Sequence, residues 1–313
     1  MFKTVTVKII AATFCMLAGS LFQTEFRAEA RTFKEQFPDV TVKTAEERTF
    51  LEALDYRQGE VPLGAGGVKL NIPQKFYYIG GDQARRIVTE AWGNPPAAAT
   101  NVLGIVFPAN ATPIDGSWGA IITFDDDGYV SDADAAKFDY AALLKDMQEG
   151  TAASNEERTK AGFPTVRLVG WASQPFYDAA EHKLHWAKEI EFGGNPKHTV
   201  NYDVRALGRR GVLKINFVAG MEQLAEIKAV IPAVMAMPEF EAGSRYADYI
   251  PGTDKVAAYG IGGLIAGKVL AKAGLFVVLL ALLKKGGFLL IFALAPLFSF
   301  VKRLFSRGAG PKT

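Results

Sequence analysis

Lys183-Leu184-His185-Trp186-Ala187-Lys188-Glu189-Ile190-Glu191-Phe192 is the stretch on which the fold turns. Leu184, Trp186, Ile190 and Phe192 share one parity, the period of a strand with one buried face. A helix would space them three and four apart. The same period recurs on both sides. Thr165–Ala172 (TVRLVGWA) reads as a strand, followed by turn-like Gln174–Ala180. Beyond the turn at Gly193–Pro196, Thr199–Ala206 sets Val200, Tyr202 and Val204 on one face. Gly208-Arg209-Arg210-Gly211 is then a two-residue hairpin loop between glycines, and Val212–Val218 completes the ribbon.

The chain before this ribbon mixes strands with capped helices. Arg31–Thr44 has no sustained period and reads as a loose leader. Thr44 with Glu47 forms a capping box for a helix to about Leu54. Gly64–Gly67 breaks the chain, and short strands follow at Val68–Ile72 and Phe76–Ile79. Asp82 caps a helix that stops at Gly93-Asn94-Pro95-Pro96. Strands at Val102–Phe107 and Trp118–Phe124 lead to the turn Asp125-Asp126-Asp127-Gly128. Ser131, with Asp134 three residues on, caps a helix to about Gln148, and residues 150–163 form a seam between halves. After the ribbon, Met221–Val230 is a helix broken near Pro232, and Glu239–Lys255 is a polar approach to the C-terminal apolar segment. Consecutive antiparallel strands with helices at their edges predict an α+β fold, a largely antiparallel sheet with flanking helices. No βαβ repeat supports a parallel sheet.

The segment 256–303 is almost wholly apolar, interrupted by Lys268, Lys272, Lys284-Lys285 and Pro296. Tyr259–Leu283 is long enough to cross a bilayer, which takes about 20 apolar residues. A span over Leu264–Leu283 leaves Lys268 and Lys272 in its outer half, where they can snorkel. Gly286–Val301 covers about 24 Å as a helix. One helix through both halves would bury the lysine pair at roughly 5–7 kcal/mol, so the segment reads as a single transmembrane helix or a helical hairpin turning at Lys284–Gly287. Gly263 and Gly267, with Ala271, offer a small-residue face for a homo-oligomer. Residues 304–313 are a short basic tail.

Residues 1–30 carry the marks of a secretory signal: Lys3 and Lys8, then apolar Ile9–Phe22, then Ala28-Glu29-Ala30 before Arg31. The only cysteine, Cys15, lies within it, so disulfides, thiol catalysis and cysteine-ligated zinc are excluded downstream. A signal followed by an anchor places residues 31–255 outside the cytoplasm. The net charge of +2 over 313 residues, with no basic run outside the tail, disfavours nucleic acid.

Several strings stand together in order: GNPP (Gly93–Pro96), WGAIITFDDDGYVSDADA (Trp118–Ala135), LVGWA (Leu168–Ala172), HKLHWAKE (His182–Glu189), LGRRGVL (Leu207–Leu213) and TDKVAAYG (Thr253–Gly260). In this order the chain resembles the bacterial membrane-anchored proteins catalogued as domain of unknown function 2167, over roughly residues 45–285. The resemblance implies a membrane-anchored bacterial protein and brings no activity with it; with the signal and the anchor, the expectation is a protein of the bacterial inner (cytoplasmic) membrane whose main domain lies on the periplasmic or extracytoplasmic side. His185 stands where the resemblance implies an aromatic residue such as tyrosine.

Four groups of residues invite chemistry. With Gly128 as the sixth position of an EF-hand-like loop, Asp125, Asp127 and Asp134 fall at ligand positions three, five and twelve, a weak Ca²⁺ site. Thr123 at position one lacks the usual carboxylate, and a hairpin followed by a capped helix explains the same residues without a metal. Arg209 and Arg210 at a loop tip can meet an anion or lipid headgroup. His182 and His185 have HxxH spacing, but on a strand they face opposite ways. Glu189 and Glu191 share a strand face as carboxylates in search of a partner. The four tryptophans read as core rather than a sugar platform. The expectation for function is a membrane-anchored, non-enzymatic binding or assembly module of the bacterial envelope, working on the bilayer and an envelope protein or polymer. The alternatives are a carboxylate-based hydrolase of an envelope polymer and a Ca²⁺-responsive sensor.

Overall fold

The computed structural model describes residues 29–135 and 139–266. The expected signal before residue 29 and the apolar segment beyond residue 266 lie outside the described residues. Among the described residues no helix is long and apolar enough to cross a membrane.

In chain order the elements are β1 (Glu29–Arg31), α1 (Phe33–Gln36), α2 (Ala45–Glu52), β2 (Tyr56–Pro62), β3 (Val68–Ile72), β4 (Phe76–Gly80), α3 (Gly81–Arg86), β5 (Val102–Pro108) and β6 (Gly119–Asp125). There follow α4 (Tyr140–Ala153), α5 (Asn155–Lys160), β7 (Val166–Asp178), β8 (Lys183–Phe192), β9 (Thr199–Leu207), β10 (Val212–Gly220), α6 (Leu224–Met235), β11 (Pro238–Phe240) and α7 (Ile261–Ala266). The strands form one antiparallel sheet in the order β11-β3-β2-β4-β5-β6-β10-β9-β8-β7, with β1 paired to β2. The expected α+β class with a large antiparallel sheet and helices is what the chain adopts. β6 pairs β10 from Val212↔Asp125 to Val218↔Gly119, so residues before and after the expected seam share one sheet.

Strand parity distributes the apolar residues into three cores. Tyr77, Ile79, Ile105 and Phe107 face Phe33, Phe37 and Leu51 of the early helical region, whereas Phe76, Tyr78 and Val106 join Val200, Tyr202, Val204, Ile215 and Phe217 under α6. The third core joins Leu184, Trp186 and Ile190 of β8 with Met147 of α4, Tyr246, and Ile261, Leu264 and Ile265 of α7. Phe192, expected on the same buried face, sits at the strand end and stays exposed. Trp118 donates to Glu226, Trp92 to Pro113 O and Trp171 to Tyr140 O, so these indoles are packing residues with satisfied N–H groups.

Several local expectations need correction. Thr32 and Glu35 make a capping box for α1, so the leader is folded and buries Phe33 and Phe37. Asp82 lies inside the first turn of α3, where it meets Arg85; the cap residue is Gly80. The helix expected from Ser131 begins at Tyr140 instead, capped by Asp139, whose carboxylate accepts from Ala141 N and Ala142 N. β7 runs through the expected turn to Asp178, by register shifts against β8. α6 continues through Pro232 to Met235.

Candidate functional site

The polar approach, Glu239–Lys255, together with residues 256–260 is a strap laid back over the acidic run. Tyr129 N donates to Lys255 O and Ala257 N to Tyr129 O, both at 2.8 Å, a short parallel bridge. Arg209 clamps Asp254 with Nε at 2.8 Å from Oδ2 and Nη2 at 2.9 Å from Oδ1, while its Nη1 donates to Gly243 O. This bidentate geometry is what guanidinium offers a carboxylate. The Arg209 hydrogen bonds, then the Ile250 N–H, hold the Asp254 carboxyl below its usual range. Tyr259 donates to Asp127, and Ile261 N at the start of α7 donates to Asp134 Oδ1 at 3.0 Å. Burial, then that bond to Asp127, pushes the Tyr259 phenol well above its usual range, so it remains the donor.

Both sets of residues expected to hold ligands therefore meet the strap and its surroundings. Lys214 Nζ lies 3.0 Å from Asp125 Oδ1, Tyr259 engages Asp127, and Asp134 serves the α7 backbone. A Ca²⁺ ion using all three would have to displace each of these contacts. Among the described residues no group of three or more His, Cys, Asp or Glu side chains is arranged to hold a metal ion. Arg209, expected at an exposed tip, is turned inward to Asp254, whereas the neighbouring Arg210 remains exposed. Gly263 packs against Tyr259 of its own chain: a Cβ added there would sit 2.6 Å from Tyr259 Cβ.

Gly128 is the pivot of the strap contact. Its φ of +99° is one that side chains rarely adopt, and an added Cβ would lie 2.4 Å from Lys255 O. Gly128→Ala is expected to cost about 1–3 kcal/mol through backbone strain alone. Urea unfolding measures the loss, and trypsin should cut at Arg245 or Lys255 faster than in the wild type. Unchanged stability and cutting would show that the strap does not depend on this contact.

Beside the strap lies an aromatic and titratable cluster that spans four loops and strand ends. Tyr246 stacks on Tyr129 at 4.6 Å and meets the His182 ring in a tilted contact at 4.2 Å, and Tyr249 stacks on Tyr129 at 3.8 Å. Tyr177 donates to Asp132 Oδ2 at 2.6 Å, with His182 Nδ1 3.3 Å from the same hydroxyl. Burial first, then Asp132, raises the Tyr177 phenol well above its usual range. The single phenol proton goes to Asp132, which leaves the phenol oxygen as the acceptor that faces Nδ1 of His182. His182 has a φ of +51°, the only positive value among described non-glycine residues. The strained residue is held by Leu207 N, which donates to its carbonyl. His185 instead meets Tyr202 at 3.0 Å, so the HxxH pair does not converge. His198 finds the carboxylates: Nδ1 is 2.5 Å from Glu189 Oε1, and Nε2 is 3.6 Å from Glu191 Oε2. Arg167 also meets Glu191.

A second polar feature crosses the middle of the sheet, on the face opposite Val200, Tyr202 and Val204. Asp203 is 2% exposed. Its Oδ1 accepts from Arg205 Nη2 and Asn216 Nδ2, each at 2.9 Å, and Lys188 Nζ lies 2.9 Å from Oδ2. Arg205 also lies over the Trp186 ring, 4.9 Å from its centroid. Strand parity could have found this stripe, since Lys188, Asp203, Arg205, Lys214 and Asn216 alternate with apolar residues. Its burial was the part that no local pattern disclosed.

This geometry defines an α+β domain whose C-terminal strap is locked onto a long antiparallel sheet, next to the start of an apolar run. The chain belongs to the family described as protein of unknown function DUF2167, whose model matches residues 55–295. That agrees with the resemblance carried by the strings from GNPP to TDKVAAYG. No curated protein matches the chain. Among solved structures it is similar to the solution structure of cyanobacterial PsbP (CyanoP) from Synechocystis sp. PCC 6803, at 9% identity over 65% of this chain and 99% of that one. The TM-score is 0.32, and nothing further is drawn from that likeness.

Proposed function

We propose that this protein is a membrane-tethered, extracytoplasmic binding or assembly module of the bacterial envelope, held at a set orientation to the bilayer by its strap. The observation that supports this is the packing of α7. Leu264 and Ile265, the first residues of the expected span, are 9% and 3% exposed and belong to the third core. A chain that ran freely from domain to anchor would leave the domain tumbling on a linker. Here the apolar run starts inside the folded body, fixed by Asp134 at the helix start and by Arg209–Asp254 upstream. Such a domain presents one face to the lipid and the others to envelope partners.

The test is expression of the full chain with its own leader, followed by cell fractionation and protease treatment of spheroplasts. The expected result is a product in the membrane fraction that resists carbonate extraction and loses the domain to external protease. A full-length product in the aqueous fraction, or one protected from protease until lysis, would overturn the proposal.

A further inference from the structure

A cavity of about 580 Å³ opens where the sheet divides, a volume within the range of small-molecule sites. β2 meets β4 at Arg57↔Tyr78 and then turns to β3, with which it pairs from Gly59 to Pro62. Gly59 makes that turn at a φ of +83°, a value suited to glycine. Val61, Pro62 and Leu63 therefore line the same space as Tyr78, with Asp55 and Arg57 at its other end. The Tyr78 ring lies across two glycines: a Cβ on Gly80 would sit 2.9 Å from it, and one on Gly104 would overlap it. Its hydroxyl donates to Leu103 O at 2.7 Å, which fixes the ring.

The polar end is held in place but only partly used. Gln83 of α3 pins the start of β2 with both ends of its amide: Asp55 N donates to Oε1 at 2.9 Å, and Nε2 donates to Ala53 O at 3.1 Å. Arg85 and Asp82 on the rim take each other, and Arg85 also donates to Val102 O. Arg57 and Asp55 stand differently. Their nearest charged atoms are 3.6 Å apart, with 43% and 51% of the side chains exposed, an ion pair too long for a hydrogen bond and weak at that exposure. Neither side chain makes a hydrogen bond among the described residues, so the guanidinium keeps its N–H donors and the carboxylate its lone pairs. A lone anion on Arg57 would face Asp55, and a lone cation on Asp55 would face Arg57. A ligand with both charges on neighbouring atoms satisfies both, and the apolar wall beyond calls for an apolar body attached to them.

We propose that this cavity binds a free α-amino acid with an apolar side chain. The carboxylate sits on the Arg57 guanidinium and the ammonium on the Asp55 carboxylate, so that two short charge-assisted bonds take the place of one long ion pair. The side chain lies against Tyr78, Val61, Pro62 and Leu63. The site is built from β2, β4 and the start of α3, and it does not rest on the tethering reading above.

The experiment takes the full-length chain in a maltoside detergent and follows thermal unfolding while titrating L-leucine. A ligand that binds the native state raises the melting temperature by linkage. Three further probes each lack one part of leucine: 4-methylpentanoate has no ammonium, 3-methylbutylamine no carboxylate, and glycine no side chain. The expected result is a saturable rise with leucine, at concentrations where each of the three does little. Arg57→Met and Asp55→Asn break no hydrogen bond of the fold, and each should raise the half-saturating leucine concentration at least about tenfold, the usual cost of losing one bond to a charged group. No saturable rise with leucine, an equal response to any of the three partial probes, or wild-type binding by either variant overturns the inference. The probe series needs no variant, so it decides the matter even where a substitution unfolds the domain.

Discussion

Asp203→Ala is expected to lower the stability of the domain by about 3–5 kcal/mol, the cost of removing one partner from a buried ion network. For a domain of this size that is a fall of roughly 6–20 °C in melting temperature. The carboxylate pairs with both Lys188 and Arg205, and it also takes the Asn216 amide. Lys188, with a fifth of its side chain exposed, can swing toward water when Asp203 is lost. Arg205 cannot follow so easily, because it is more deeply buried and lies over Trp186. Its guanidinium would be left against a buried ring without the carboxylate it pairs with.

The same network sets a pH window. Burial is the largest influence on Asp203 and opposes its charge, yet Lys188, Arg205 and their hydrogen bonds together outweigh it and hold the carboxyl below its usual range. A depressed folded-state pKa stabilises the fold above the unfolded value, about 3.9 for aspartate, and that stabilisation is lost as pH falls through the lower folded value. The difference between wild type and Asp203→Ala should stay constant from about pH 7 to pH 5 and narrow below about pH 4. Urea unfolding at a series of pH values reads both quantities. A loss under about 1 kcal/mol, or a difference that grows on acidification, would show that the network contributes little to the fold.

How far such features can be read from sequence depends on whether their cause is local. β8 begins and ends at the residues its alternation marks, Lys183 and Phe192, because the period is carried within the strand. The Thr44–Glu47 box holds for the same reason, with both reciprocal bonds made inside one turn. Thr32–Glu35 carries the identical signal and was legible in principle; the short helix it opens has no apolar period to draw attention to it. Asp134 shows the opposite case. Its spacing from Ser131 imitates a cap, but its carboxylate is taken by Ile261 N, 127 residues further on. The clamp from Arg209 to Asp254 and the bond from Tyr259 to Asp127 are likewise long-range, and nothing near Arg209 announces that a later segment will cover it. The apolar character of α7 was plain, yet hydropathy alone cannot distinguish packing on protein from packing on lipid.

Tyr246→Ala tests whether the strap is a rigid part of the domain, on which the proposed orientation depends. Tyr246 is 8% exposed and packs between Tyr129 and His182, and its hydroxyl donates to Val130 O at 3.1 Å. Truncating a buried aromatic of this kind costs about 3–5 kcal/mol. Tyr246→Phe keeps the ring and leaves one carbonyl without its donor, for about 1–3 kcal/mol. The position of the ring predicts where the loss is felt. It joins the strap to the loop after β6 and to the turn before β8, while the ladders of β9 and β10 are made by other residues. Hydrogen exchange should therefore show faster opening at Ala257, whose N–H is held by Tyr129 O, and at Ile261, by at least about a hundredfold in Tyr246→Ala. Amides of Tyr202 and Ile215 should change far less. Were all of these to accelerate together, the strap would open only with the global folding unit, and the ring would hold the whole domain rather than the strap alone. Were none to change, the ring would be dispensable, and the geometry that ties the domain to the start of its apolar run would rest on Arg209–Asp254 and Asp134 alone.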